Sequence, residues 1–214
     1  MTQLKPTIII RRLLATRFGK VIYDEGFHEG INVIYGSNGG GKTSVIQMLA
    51  YGLGYDVKNW KDEAGQSEFI YLGLIINNKP ITLRRKNEGA EKQSMDICFS
   101  SIEEALISPI EEWNNFPYAI NASKESFSQK LFSLMEVPEA KADISNNNIT
   151  IHQLLRIIYN DQSNPASFLF NIEPFDSAFK RETVGNYLLG LHDDGNYSDP
   201  QATGGNFGIG RPVR

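Results

Sequence analysis

Cysteine occurs once in this chain, at Cys98, so no internal disulfide framework can hold the fold, and we read the compartment as the reducing cytoplasm. No stretch approaches the roughly 18 apolar residues of a membrane span, so no membrane partner is expected. The opening MTQLKPTIII, followed by Arg11-Arg12, lacks the pattern of a signal peptide. Histidine is scarce: His28, His152 and His192 are scattered, read as surface or packing groups, and form no metal-ligand cluster. Neither sign of charge dominates. With 21 Lys and Arg against 25 Asp and Glu, the net charge of −4 argues against a protein that coats nucleic acid over its whole surface, while a local basic strip stays open. The densest basic run, Arg84-Arg85-Lys86, reads as a solvated hairpin end. Internal repeats and long heptad segments are also missing.

What is present suits a soluble α/β domain. Hydrophobic residues make up 41% of 214, with 12 Phe and 9 Tyr to fill a core, and the length has room for one large domain or one plus a small appendage. Thr7 to Leu14 and Lys20 to Tyr23 read as strands, and Gly30 to Tyr35 is a third β-rich run. From Thr43 the apolar positions Val45, Ile46, Leu49 and Leu53 follow a helical face that Gly52 and Gly54 stop. Phe69 to Ile76, Pro80 to Arg85 and Met95 to Phe99 look like strands of a β-rich insertion, with Asn77-Asn78-Lys79 as a turn. Helices are expected over Ile102 to Trp113, over Ser126 to Glu136, and within Phe175 to Leu191. Thr150 with Gln153 is a capping box for a helix carrying Ile151, Leu154, Leu155 and Ile158 on one side. After Asp193 the composition turns to glycine and proline without apolar periodicity, and residues 194–214 are expected to be a flexible tail.

Gly36-Ser37-Asn38-Gly39-Gly40-Gly41-Lys42-Thr43 fits G-x-x-x-x-G-K-[ST] at every fixed position. The glycines let backbone N–H groups turn inward around phosphate oxygens. The helix that follows aims its positive dipole end at the same anion. Lys42 is expected to reach the β- and γ-phosphates and the Thr43 hydroxyl to ligate Mg²⁺, so Mg-ATP is the expected ligand of a P-loop NTPase. Asn38, Gly39, Gly40, Gly41, Lys42, Thr43 and Ser44 form the candidate nucleotide site.

The run from Ile8 through Leu53, centred on NVIYGSNGGGKTSVIQML, resembles the N-terminal segment of SMC-like ATPases, the group that includes chromosome-maintenance and RecF/RecN-type repair proteins. Asn38 fills the family's Asn position, and Gly40 stands where Ser is commoner. Arg17-Phe18-Gly19 occupies the early loop, and the resemblance implies that Arg17 contacts nucleotide. Leu154-Leu155-Arg156-Ile157-Ile158-Tyr159-Asn160-Asp161-Gln162 is similar to the family's Q-loop segment, which implies that Gln162 contacts Mg²⁺ and the attacking water as a catalytic group. Two other readings of this patch remain: an ordinary loop glutamine, or a Walker B strand ending in Asp161.

The remaining head motifs do not appear. There is no apolar run ending in Asp-Glu, no Ser-Gly-Gly signature in a helical context, and no switch histidine. Phosphoryl transfer is mostly positioning and charge stabilisation, so a chain without the general-base Glu should hold nucleotide but turn it over poorly alone. The resemblance implies an α/β fold, a P-loop core with a β-rich insertion and a helical lobe, in which residues 1–193 form the N-terminal half of an ATPase head. Its implied partners are a C-terminal half bearing signature and Walker B motifs, a second head (as a homodimer) on ATP binding, and DNA, in repair, chromosome organisation or defence against foreign DNA. A self-sufficient small NTPase using Asp161, or a non-hydrolysing ATP-dependent interaction module, are the alternatives.

Overall fold

The computed structural model describes residues 7–57, 59–60, 62–88, 92–119, 121, 123–141, 148–160 and 176–190. Its frame is one antiparallel sheet of six strands in the order β2-β1-β3-β4-β5-β6. β1 (Ile8–Arg17) and β2 (Lys20–Gly26) form a hairpin. β3 (Phe69–Ile76) lies against the other side of β1, from Ile8 opposite Ile76 to Thr16 opposite Phe69. β4 (Lys79–Lys86), β5 (Met95–Cys98) and β6 (Asn114–Phe116) continue the sheet. The β-rich region after the P-loop therefore does not stand apart as an insertion; it extends the sheet that the first strands begin. The expected turn is there, and it is tight. Asn77 and Asn78 have φ of 45° and 65°, the left-handed backbone that a two-residue hairpin needs and that asparagine tolerates.

Both faces of the central strands are covered, which is why Leu13, Leu14 and Ala15 are all buried despite pointing alternately up and down. α1 (Lys42–Gly52) packs on one face through Gly52, where an added Cβ would lie 2.7 Å from the Leu72 side chain. On the opposite face Gly73 admits Ile102 of α2 (Ile102–Ala105), whose side chain would meet a Cβ at 3.1 Å. α2 begins at a Ser101–Glu104 capping box but is far shorter than the expected helix over Ile102 to Trp113. Pro109 accounts for this. It lacks an N–H and disfavours helix at Ser108, so the chain restarts as a 3₁₀ turn over Ile110–Glu112 and then as β6.

Three helices form the remaining layer: α3 (Phe127–Leu134), α4 (Ile151–Ile158) and α5 (Ala178–Leu188). Each starts at a hydroxyl N-cap, Ser126, Thr150 and Ser177, of which only Thr150 was expected as one. Gln129 Oε1 accepts from Ser126 N at 3.0 Å, and Gln153 Oε1 accepts from Thr150 N at 2.9 Å. Ile151, Leu154 and Leu155 are buried as expected, but Ile158, expected on the same side, is 65% exposed. Ser128 Oγ accepts from Ile151 N at 3.1 Å and ties α3 to α4, while a buried Arg156–Asp176 pair ties α4 to the start of α5.

Arg84-Arg85-Lys86 is not a solvated hairpin end. Arg85 is 1% exposed: its guanidinium pairs with Asp56 at 2.8 Å, donates to Tyr55 O at 2.9 Å and Tyr51 O at 3.1 Å, and lies 4.1 Å from the Tyr51 ring centroid. Arg84 pairs with Asp96 at 2.9 Å beneath Trp113, 4.3 Å from its ring centroid. Only Lys86 is exposed, paired with Glu88. Expectations on Asp161, Gln162, His192 and the tail at 194–214 fall outside the described residues.

Candidate nucleotide site

Among the described residues the approach to the P-loop forms no strand, contrary to the β-rich run expected over Gly30 to Tyr35. Only Ile34 packs against the core, while Ile31, Val33 and Tyr35 stand 86%, 76% and 90% exposed. Backbone of this kind forms a strand only when another chain segment supplies its ladder, and no described segment does so here. The entry is nevertheless anchored. Asn32 Nδ2 donates to His28 O at 2.8 Å, and Asn32 Oδ1 accepts from His28 N at 3.1 Å.

The loop itself has the local chemistry that its glycines predict. Gly39 and Gly41 sit at φ of 79° and 75°, where a Cβ is disfavoured, and a Cβ on Gly40 would lie 3.0 Å from Ser37 O. Gly40 N donates to that carbonyl at 3.1 Å and closes the turn. Gly41 is the N-cap of α1 and offers no side-chain hydrogen bond, and the helix begins with its positive dipole end at the loop. Lys42 Nζ donates to Gly36 O at 2.9 Å and to Ser37 O at 2.7 Å, which holds the ammonium across the mouth of the loop. Thr43 is half-buried beside it and Ser44 is buried under it, while Asn38 is exposed at the crest. A Cβ-poor loop, a helix N-terminus without a side-chain cap and a pinned ammonium are suited to hold a polyphosphate, and the Thr43 hydroxyl is an oxygen that could serve Mg²⁺ beside it.

Beside this cradle lies a cleft of about 330 Å³ lined by Asn32, Ile34, Lys42, Thr43, Ile46, Tyr159 and Asn160. Ile46, expected on the core face of α1, is 38% exposed because it turns into this cleft. Tyr159 and Asn160 come from the end of α4, more than 100 positions from the P-loop in sequence. They arrive there because Tyr55, just past α1, stacks on His152 and also meets Tyr159, each with ring centroids 5.0 Å apart. His152 is thereby a packing group, as expected. Neither Tyr159 nor Asn160 was singled out from the sequence, although both lie inside the run ending in Gln162. Their signal was their place directly after a capped amphipathic helix.

Arg17 does not line the cleft. It closes β1, donates to Gln66 Oε1 and lies 5.1 Å from the ring centroid of Phe18. Among the described residues there is no group of three or more His, Cys, Asp or Glu able to hold a metal, and no helix long and apolar enough to cross a membrane. The family model of the AAA domain matches residues 26–189, which is most of the chain and includes the loop, the cleft and all three helices. No curated protein matches.

Proposed function

The chain belongs to the AAA domain family of nucleotide-binding P-loop ATPases, and from that premise we propose that it is the N-terminal half of an SMC-like head ATPase acting on DNA. In this reading a C-terminal half supplies the signature and Walker B motifs, and heads pair when ATP is bound. The observation that carries it is the meeting of Tyr159 and Asn160 with Lys42 and Thr43 in one cleft. The segment leading to Gln162 thus reaches the phosphate cradle by way of a helix, which favours a Q-loop over a Walker B strand ending in Asp161. The run from Ile31 to Tyr35 is a second support, since Ile31, Val33 and Tyr35 are exposed and among the described residues no segment pairs with its backbone. Strands from a completing half would cover both.

Within this reading the chain's own groups divide the work. The loop N–H groups and Lys42 hold the β- and γ-phosphates, Thr43 and Gln162 approach Mg²⁺, and Gln162 orients water. Arg85 is buried and Arg84 is taken up by Asp96 and Trp113, so neither is offered as a DNA contact.

Titration of Mg-ATP into the chain and its Lys42→Ala variant tests the cradle. Losing a charge-assisted contact should cost about 1.5–3 kcal/mol of binding, and equal affinities would refute the site. With the C-terminal half added in trans, Gln162→Ala should slow turnover about tenfold and spare ADP binding. If Asp161→Ala abolishes Mg²⁺ dependence while Gln162→Ala is silent, the self-sufficient NTPase is the right reading.

A further inference from the structure

The helix that follows the P-loop ends in a fixed geometry. Gly54 has φ of 109°, its N–H donates to Tyr51 O at 3.0 Å, and Tyr55 N donates to Ala50 O at 3.0 Å. Two such bonds around a left-handed glycine make a Schellman stop, which ties the residue after the glycine to the last turn of α1. Arg85 of β4 holds Tyr55 as well, donating to its carbonyl at 2.9 Å. The helical layer presses on the same spot: a Cβ on Gly54 would lie 2.7 Å from the Phe127 ring and 3.2 Å from Ile151. The backbone of Tyr55 is thus fixed by α1 and the sheet together.

Its ring reaches along α4. His152, in the first turn, stacks on it with planes 13° apart, and Tyr159, at the end of the helix, meets it at 46°. Positions seven apart lie on one side of a helix, so a single ring can touch both. Tyr159 is where the chain leaves the helix: its ψ is 118°, although its N–H still bonds Leu155 O at 2.6 Å. Ile158, directly before it, is mostly exposed and adds little packing there. α4 therefore starts beside the end of α1, at Gly54, and delivers Tyr159 and Asn160 to the beginning of α1, where they line the cleft with Lys42 and Thr43.

We propose, on the reading of the loop as a nucleotide cradle, that Tyr55 is a positioning residue of that site. It does not line the cleft. It sets how closely Tyr159 and Asn160 approach Lys42 and Thr43, and through them the preference for a triphosphate over a diphosphate. In a P-loop the lysine serves the β- and γ-phosphates and the hydroxyl serves Mg²⁺, so the segment facing these two groups stands where the γ-phosphate and its cation would lie. The loop N–H groups that hold a diphosphate are at the opposite end of α1 from Tyr55. A ring placed by two torsions sets a position more sharply than a flexible aliphatic chain, and a misplacement of about 1 Å is enough to matter at such a site.

Two measurements on the full chain test this. The first is calorimetric titration with Mg-ATP and with Mg-ADP. Tyr55→Leu keeps bulk but not the ring, and should lower ATP affinity at least about tenfold, as loss of an outer support does at metal sites, while ADP affinity shifts by less than about threefold. Tyr55→Phe keeps the stack and should bind both as the parent does. His152→Leu removes the neighbouring ring and should shift the ATP-to-ADP ratio the same way, which keeps the test decisive if Tyr55→Leu does not fold. The second measurement needs no nucleotide: a short bismaleimide should join Ile46→Cys to Asn160→Cys across the cleft, and less readily once Tyr55→Leu or His152→Leu is added. Cys98 is 2% exposed and should stay unlabelled. An unchanged ATP-to-ADP ratio, an equal loss for both nucleotides, unchanged cross-linking, or a Tyr55→Phe as impaired as Tyr55→Leu would each overturn the proposal and leave the cradle standing. A parent that binds neither nucleotide would overturn the cradle itself, and the proposal with it.

Discussion

Replacing Arg85 with methionine keeps most of the side-chain volume and removes the charge. The guanidinium is 1% exposed, and the Asp56 carboxylate it pairs with at 2.8 Å has only 13% of its side chain exposed. Methionine therefore leaves a carboxylate facing a low-dielectric interior, and Tyr55 O loses the donor it has at 2.9 Å. Breaking a buried pair from one side costs about 3–5 kcal/mol. Against a typical domain stability of about 5–15 kcal/mol, that is a large fraction, and it corresponds to a drop of about 10 °C in Tm for a chain of this size. Arg84→Met is the matched control. Arg84 also pairs with a carboxylate, Asp96, but the two side chains are 16% and 21% exposed, so water can take over the orphaned group and the cost should be about 1 kcal/mol. Urea denaturation and thermal melts of both variants measure the difference. Adding Asp56→Leu to Arg85→Met should recover part of the loss, because removing both charges leaves nothing uncompensated. If Arg85→Met costs no more than Arg84→Met, burial of the pair is not what matters and the reasoning fails.

Two further expectations concern the packing of α1 and the hairpin edge. Gly52→Ala should destabilise by about 1–3 kcal/mol in denaturant melts, because its methyl would lie 2.7 Å from Leu72 and α1 would have to lift off the sheet. The Arg12 guanidinium holds the Asp24 carboxyl below its ordinary range, so the pair's contribution is present above the unfolded value near about 4 and is lost as pH falls through the folded value. With more than a third of the Asp24 side chain exposed, the effect should be at most about 1 kcal/mol, and Asp24→Asn should flatten that part of an acid-stability profile.

What the sequence determined by itself is local. The P-loop was legible because phosphate chemistry demands glycines, Lys42 and Thr43 at fixed spacing, and the left-handed backbone of Gly39 and Gly41 is the consequence. The start at Thr150 was legible because capping is a four-residue affair, whereas Ser126, expected inside its helix, is the residue that caps it. The Asn77-Asn78 turn was legible because few residue pairs tolerate positive φ twice. What only the tertiary structure decided depends on who the neighbours are. Arg85 reads as surface charge until Asp56, Tyr51 and Tyr118 close around it from distant parts of the chain. Ile31 to Tyr35 has strand composition, yet a strand exists only in company, and no described segment lies alongside it. Tyr159 and Asn160 became site residues because ring contacts from Tyr55 set α4 beside α1. Burial, strand pairing and site assembly are properties of a packed chain, since each needs a partner that sequence spacing does not name.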